Sequence, residues 1–179
     1  ETLMWENFND LGVCHYTEEE LKYAKALYDS VEMKSADLPG DAAKDSDEIY
    51  EFVDEKSKHG TVPMNEFLVP YLYSEKPRMG STDVGDVSWN CPTAQAYVAT
   101  WAAGTPGHSW QVVSQGKSGL AHKGLIYAAK AMAGAAIDMY EDPEIIAKAK
   151  AEMEEELDGD TYHCPIPDGC KPRAIGMKM

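Results

Sequence analysis

The sequence predicts an α/β protein in which a small mixed sheet is flanked by helices. Apolar and polar residues alternate over 93–101, and a second apolar run covers 64–73, as is typical of β-strands. Apolar residues recur at helical spacing over 18–31 and 119–140, which indicates two longer helices. The 179 residues of the chain are enough for one domain with a hydrophobic core.

The start of the chain carries clear signals for two helices. Residues 2–11 have helical apolar spacing and are followed by Gly12, a residue that commonly ends a helix. Thr17 and Glu20 then have the spacing of a capping box. The second helix is therefore predicted to begin directly after Thr17.

The longest predicted helix is rich in alanine and begins near Ser118. Gly124 and Gly134 lie inside it, and glycine within an apolar helix is expected where the helix packs closely, here on the sheet. Its predicted packed face consists of five apolar residues: Leu125, Ala129, Met132, Ala136 and Ile137. A further helix is predicted from Pro143 to about Leu157, followed by an irregular tail.

Charge and composition narrow the classes of function. The net charge of −15 argues against binding to nucleic acid or to an anionic membrane surface, because both are polyanions. No apolar stretch is long enough to span a bilayer. The four scattered cysteines have no CxxC spacing, and they are interpreted as free thiols in the cytoplasm. Because the chain begins at Glu1, it is expected to start inside a longer protein.

The acidic residues are unevenly distributed. None lies between Val87 and Ile137, although that segment contains three lysines. Two interpretations stay open at this point: the segment forms the core, or it borders a site for an anionic substrate.

A loop rich in glycine and proline places His108 after the predicted strand 93–101. Loops at strand ends commonly carry functional side chains, so His108 is a candidate metal ligand, and a purely structural histidine is the alternative. Ser109 and His122 are candidates for supporting such a ligand without binding the metal themselves. The closely spaced His163, Cys164 and Cys170 form a weaker candidate zinc site, because their spacing fits no standard pattern.

A second candidate segment runs from Gly80 to Asp86 with the sequence GSTDVGD. Its glycines permit tight turns, and a helix beginning there would offer free amides to a carboxylate. The alternative is a capped turn in which Asp83 accepts local amides. The chain contains no HExxH or GxSxG motif, so a complete catalytic site is not expected.

Several motifs occur in the order found in one enzyme family. They are ETLMWENFNDLG, YTEEELKYAKALY, the run GSTDVGDVSWNCPTAQAYVATWAAGTPGHSWQ, AHKGLIYAAKAMA and TYHCPIP. Together they resemble the C-terminal part of p-aminobenzoyl-glutamate hydrolase B subunits and their amidohydrolase relatives, in the metallopeptidase superfamily that includes carboxypeptidase G and aminoacylases. The resemblance covers most of the chain and is weakest over 34–63.

The resemblance implies the C-terminal portion of the catalytic domain of a di-metal aminopeptidase-like fold, without its lid domain. Residues 1–33 would then follow the missing lid, 34–63 would be a polar connection with a short helix at 45–57, and 64–179 would form the core. It further implies cleavage of an amide bond to an amino acid, in p-aminobenzoyl-glutamate or another N-acyl amino acid, with two Zn²⁺ or Mn²⁺ ions. His108 matches the last metal-ligand position, with Asp86 as a further supporting candidate. Gly80, Ser81, Thr82 and Asp83 match a loop lining the substrate site.

The ligands and general base that the family carries elsewhere are absent from these 179 residues. The chain is therefore expected to be an inactive fragment without tightly bound metal, whose partners are the missing N-terminal half of the catalytic domain and further copies in a homo-oligomer. Two alternatives stay open: a non-catalytic subunit that binds a partner through its acidic N-terminal region, and a small metal-binding domain using His108 and His163.

Overall fold

The computed structural model describes residues 1–32, 45–74, 76 and 82–171. Within these ranges the fold consists of helices and extended loops, and no residue there is in a β-strand or bridge. The predicted α/β class with a small mixed sheet is therefore wrong. The seven helices of the described part are α1 Thr2–Leu11, α2 Glu18–Ser30, α3 Asp47–Lys56, α4 Val84–Ser88, α5 Trp110–Gln115, α6 Gly119–Glu141 and α7 Pro143–Leu157.

The chain divides into two compact units. The first comprises Glu1–Arg78 and Ala94–Asp142, and it contains α1, α2, α3, α5 and α6. The second comprises Met79–Thr93 and Pro143–Met179, and it contains α4 and α7. None of the helices in the described ranges is both long and apolar enough to cross a bilayer.

The predicted starts of α2 and α6 are confirmed, and side-chain caps define both. The backbone N–H of Glu20 donates to Thr17 Oγ1 at 3.3 Å, and the backbone N–H of Thr17 donates to Glu20 Oε2 at 2.7 Å. This reciprocal pair is the predicted capping box. At the start of α6, Ser118 Oγ accepts from the backbone N–H of Ala121.

Helix α6 organises the first unit. It packs against α1 and α2, and its buried residues are Leu120, Gly124, Ala131 and Ala135. The core around Leu120 also contains Ala24, Met64 and Ala102. The predicted packed face was wrong, because Leu125, Met132 and Ile137 are 64%, 62% and 55% exposed. Small residues face inward instead, which lets neighbouring segments approach closely.

In the described ranges neither predicted strand has a strand partner, and the 64–73 segment bends at Met64 and Phe67. The backbone around 93–103 forms isolated hydrogen bonds instead of a ladder. Tyr16 Oη donates to Ala99 O at 3.3 Å, and Ala103 N donates to Pro63 O at 2.9 Å. The 64–73 segment packs side chains on α3, where Phe67, Val69 and Leu72 surround Ile49 and Val53. Alternation over 93–101 therefore did not indicate a half-buried strand, because 93–97 are exposed and only 98–100 are partly buried.

Helix α6 does pack closely at both glycines, but the sheet predicted as its partner is wrong. A Cβ at Gly124 would overlap the carbonyl oxygen of Ala99 and lie 2.8 Å from Thr100 Cγ2. A Cβ at Gly134 would overlap Asn7 Oδ1 on α1. The close approaches are to an extended segment and to a helix rather than to a sheet.

A charged pair joins α2 to α6. Lys123 Nζ lies 2.6 Å from Glu20 Oε2 and also donates to the carbonyl oxygen of His15 at 3.2 Å. The Glu20 carboxylate is only 18% exposed. The hydrogen bond from Lys123, followed by that from the Thr17 amide, holds the pKa of Glu20 below its usual value.

We expect Gly124→Leu to destabilise the first unit by about 1–3 kcal/mol. The reason is that the new side chain meets the backbone at Ala99, which outweighs the gain of about 1 kcal/mol in helix propensity on replacing glycine. Chemical denaturation measures the effect. Ala129→Leu, on the exposed face of the same helix, serves as the control and should leave stability nearly unchanged. Equal stability of both variants and the wild type would contradict the packing described.

We expect Glu20→Gln to remove a pH-dependent part of the stability. Glutamine at this position keeps the capping box but loses the charge facing Lys123. Because the carboxylate form is favoured in the folded state, its stabilisation is fully present above the ordinary Glu pKa of 4.5 and is lost as the pH falls below it. The difference in unfolding free energy between wild type and variant should shrink from pH 7 to pH 3. Glu19→Gln, in the same turn but exposed, should show no such trend.

Candidate functional site

His108 lies in the turn that connects the extended segment after Ala94 to α5. Its side chain is exposed, and its backbone φ of 52° lies in the left-handed region, which non-glycine residues adopt rarely. The other left-handed non-glycine residues of the described chain are Lys58, His59 and Asp158, which follow the ends of α3 and α7. Left-handed residues are common after helix ends, whereas His108 precedes a helix.

The chain before His108 is anchored by a buried polar cluster formed by Ala102, Thr105 and Gln115. Gln115 Oε1 accepts from the Ala102 backbone N–H at 2.7 Å, and Gln115 Nε2 donates to Thr105 Oγ1 at 3.2 Å. Thr105 Oγ1 in turn donates to the carbonyl oxygen of Ala102 at 2.6 Å. Both polar groups of the Ala102 backbone are therefore satisfied four residues before Pro106, where the turn begins.

The chain after His108 is anchored by Ser109. Ser109 Oγ donates to the carbonyl oxygen of Pro106 at 2.6 Å and accepts from the backbone N–H of Val112, which caps α5. This serine was predicted to support His108 from behind. In the structure its hydroxyl instead holds the backbone of the turn, and its support of the imidazole remains a prediction.

The imidazole of His108 makes no hydrogen bond or ion pair with the residues that the structure describes. A structural zinc site uses four protein ligands, and a catalytic site commonly uses three. The described ranges contain no group of three or more His, Cys, Asp or Glu residues that could hold a metal ion. Among the described residues, the donor set therefore does not fit a complete metal centre, whether at His108 or at His163 with Cys164 and Cys170.

The predicted substrate loop lies partly outside the described residues. Gly80 and Ser81 lie outside the described residues. Thr82 Oγ1 accepts from the backbone N–H of Val84 at 3.4 Å. Asp83 occupies the position before α4, but its side chain makes no capping bond. The interpretation of this segment as a turn capped by Asp83 is therefore not supported, and its role in substrate binding stays a prediction.

Asp86 is engaged within the second unit. Tyr162 Oη donates to Asp86 Oδ1 at 3.0 Å, and this hydrogen bond raises the pKa of Tyr162 to about 12. Asp86 therefore belongs to the second unit, whereas His108 belongs to the first. His122 is exposed in the first turn of α6. The supporting roles predicted for Asp86 and His122 stay predictions.

Sequence comparison connects the chain to one curated protein. Over 177 residues, 98% of this chain, it is 34% identical to the B subunit of p-aminobenzoyl-glutamate hydrolase from Escherichia coli (strain K12). The predicted resemblance to p-aminobenzoyl-glutamate hydrolase B subunits is confirmed. The chain spans 36% of the length of that relative. No family model and no solved structure matches the chain.

The similarity to this B subunit runs through almost the entire chain. Because 177 of its residues align, the similarity extends over both the His108 turn and the cluster that anchors it. It also extends over the acid-free stretch from Val87 to Ile137. Part of that stretch is core, as Ala102, Leu120 and Ala131 are buried.

Two residues of the site were not predicted from the sequence. Thr105 and Gln115 are 5% and 0% exposed, and both bond to the backbone that precedes His108. Neither residue type marks a site by itself, because threonine and glutamine usually lie at the surface. The one sequence feature that could have pointed to Gln115 is its place in the short segment WQVVSQ, directly after the His108 turn.

Proposed function

We propose that this chain is one segment of an amidohydrolase that cleaves the amide bond of p-aminobenzoyl-glutamate or of another N-acyl amino acid. The observation that carries the proposal is the 34% identity to the E. coli hydrolase over nearly the whole chain. The exposed His108, held in an anchored turn, is the residue through which the segment contributes to the site. A cytoplasmic location accords with four cysteines that form no disulfide.

The proposal assigns His108 as one ligand of a centre with two divalent ions, Zn²⁺ or Mn²⁺. Neutral imidazole is the commonest protein ligand for such metals, and bound metal ions polarise carbonyl groups and lower the pKa of water. The proposal places the other ligands and the general base outside the 179 residues, as the resemblance to the family implies. No catalytic step is therefore assigned to this chain alone, and tight metal binding by it is not expected.

The proposed substrate site is assigned from the family resemblance and from the charge of the surrounding sequence. Gly80, Ser81, Thr82 and Asp83 are proposed to line the substrate site, on the resemblance of their loop to that of the family. The acid-free stretch around His108 is compatible with a substrate that carries carboxylates, since nearby acids would repel it. Lys123 within this stretch is paired with Glu20, so it is not proposed as a carboxylate ligand.

The exposed face of α6 supports a partner surface. Leu125, Ile126, Met132, Ile137 and Tyr140 are between 52% and 87% exposed, and no acidic residue lies between Leu125 and Ile137. Large exposed apolar patches usually mark interaction sites. We propose that the remaining part of the catalytic domain, or a second copy of the chain in its absence, covers this face.

The alternative is a non-catalytic subunit that acts through protein interaction. The exposed α6 face favours docking of some kind, although it lies outside the acidic N-terminal region first considered for that role. The two functions differ in what His108 does. Its replacement is harmless in an interaction subunit and severe in a hydrolase.

A hybrid enzyme tests the hydrolase proposal. In the hybrid, this chain replaces the aligned segment of the E. coli protein, and release of p-aminobenzoate is measured. We expect the hybrid to hydrolyse p-aminobenzoyl-glutamate and the isolated chain not to. His108→Ala should abolish most of the hybrid's activity, a larger loss than the roughly 10–100-fold typical of residues that only support a metal ligand.

His122→Ala provides the matched control, since it removes an exposed histidine of the same unit. Its loss should not exceed that lower range. A folded His108→Ala hybrid with near-normal activity would refute the role proposed for His108. Metal-dependent turnover by the isolated chain, free of host enzyme, would refute the assignment of the remaining ligands to other residues.

We expect the isolated chain to self-associate through the α6 face. Light scattering should show an apparent mass that rises with protein concentration, and Leu125→Lys with Met132→Lys should suppress that rise because the added charges cannot be buried cheaply. Ile166→Lys with Val113→Lys places the same charge on apolar residues elsewhere, 62% and 79% exposed, and should not. A wild-type chain that stays monomeric at high concentration would contradict this expectation.

A further inference from the structure

The buried side chain of Gln115 raises the question of why an amide occupies that position. Gln115 is fully buried at the end of α5, among the few buried polar residues of the described chain. A buried amide is costly unless its groups are hydrogen-bonded. Here the oxygen accepts from Ala102 N, and the nitrogen donates to Thr105 Oγ1 and to the carbonyl oxygen of Gln111 at 3.1 Å.

These bonds form a closed ring with the backbone before His108. Ala102 N–H donates to Gln115, Gln115 donates to Thr105, and Thr105 donates back to the Ala102 carbonyl. Ala102 is itself fully buried, and Thr105 is 5% exposed, so water does not compete for these bonds. An apolar residue of similar size would fill the space but would leave Ala102 N–H without its partner, which is costly in a buried position.

The ring lies at one end of a turn whose backbone is unfavourable. The left-handed conformation of His108 persists only where the surrounding structure imposes it. Ser109 bonds to Pro106 and caps α5 on the far side. The Gln115 ring fixes the near side, so the turn is clamped at both ends while the imidazole stays exposed.

We propose that Gln115 is a positioning residue, whose buried amide fixes the turn that presents His108. Its relevance to catalysis rests on the function proposed above for His108. The geometry can nevertheless be tested without any activity.

The test is NMR spectroscopy of the isotope-labelled chain with Gln115→Met. We expect hydrogen exchange of the Ala102 amide to accelerate about tenfold or more, as follows from losing a buried hydrogen bond. The three-bond H–N–Cα–H coupling and the ring signals of His108 should change as its backbone leaves the left-handed conformation. Ser118→Ala, which removes the cap of α6, is the matched control. It should lower the melting temperature without altering the signals of His108.

A second pair of variants decides the outcome if Gln115→Met does not fold. Thr105→Val removes the hydroxyl from the ring and should change the His108 coupling, whereas Thr105→Ser keeps the hydroxyl and should restore the wild-type value. The proposal is overturned if Gln115→Met folds with unchanged Ala102 exchange and His108 coupling, or if the valine and serine variants behave alike. If the hybrid enzyme were insensitive to His108→Ala, the proposed function would be refuted. The NMR results would be unaffected, so the two failures are distinguishable.

Discussion

The close approach of α6 to the backbone at Ala99 is the contact on which the first unit depends. It exists because Gly124 has no side chain. The contact brings the extended segment after Ala94 onto the helix, where Ala102 joins the core with Leu120. The turn that carries His108 begins at this point. A small residue on the longest helix thus determines where the candidate functional residue lies.

The helices could be predicted from the sequence because their ends are encoded locally. Thr17 with Glu20, and Ser118 alone, supply the caps that start α2 and α6, and Gly12 ends α1. Such signals depend on residues three positions apart, so no tertiary information is needed. The choice of buried face on α6 does depend on tertiary structure. Apolar residues surround much of that helix, and its small residues face inward while Leu125 and Met132 face out.

The sheet could not be predicted correctly, since a strand requires a hydrogen-bonded partner that alternation does not reveal. In the described chain, side chains such as Tyr16 and Gln115 bond to the backbone around 99–102 instead. The candidate site, too, could be predicted from the sequence only in part. The glycine–proline loop drew attention to His108, whereas the amide that anchors the loop lies in a helix and looks like any other glutamine. The glycine-rich sequence drew attention to the segment with Gly80 and Ser81 as well, and the resemblance supplied their substrate role, but both residues lie outside the described residues.

The role proposed for His108 is to bind a metal centre that residues beyond this chain complete. Its most direct test is Mn²⁺ titration of the hybrid enzyme, followed through the ring signals of its histidines. Paramagnetic Mn²⁺ broadens the signals of nuclei close to it. We expect the His108 signals to disappear at the first equivalents of metal, while those of the exposed His59 persist. Stoichiometric Mn²⁺ binding that leaves the His108 signals sharp would contradict it.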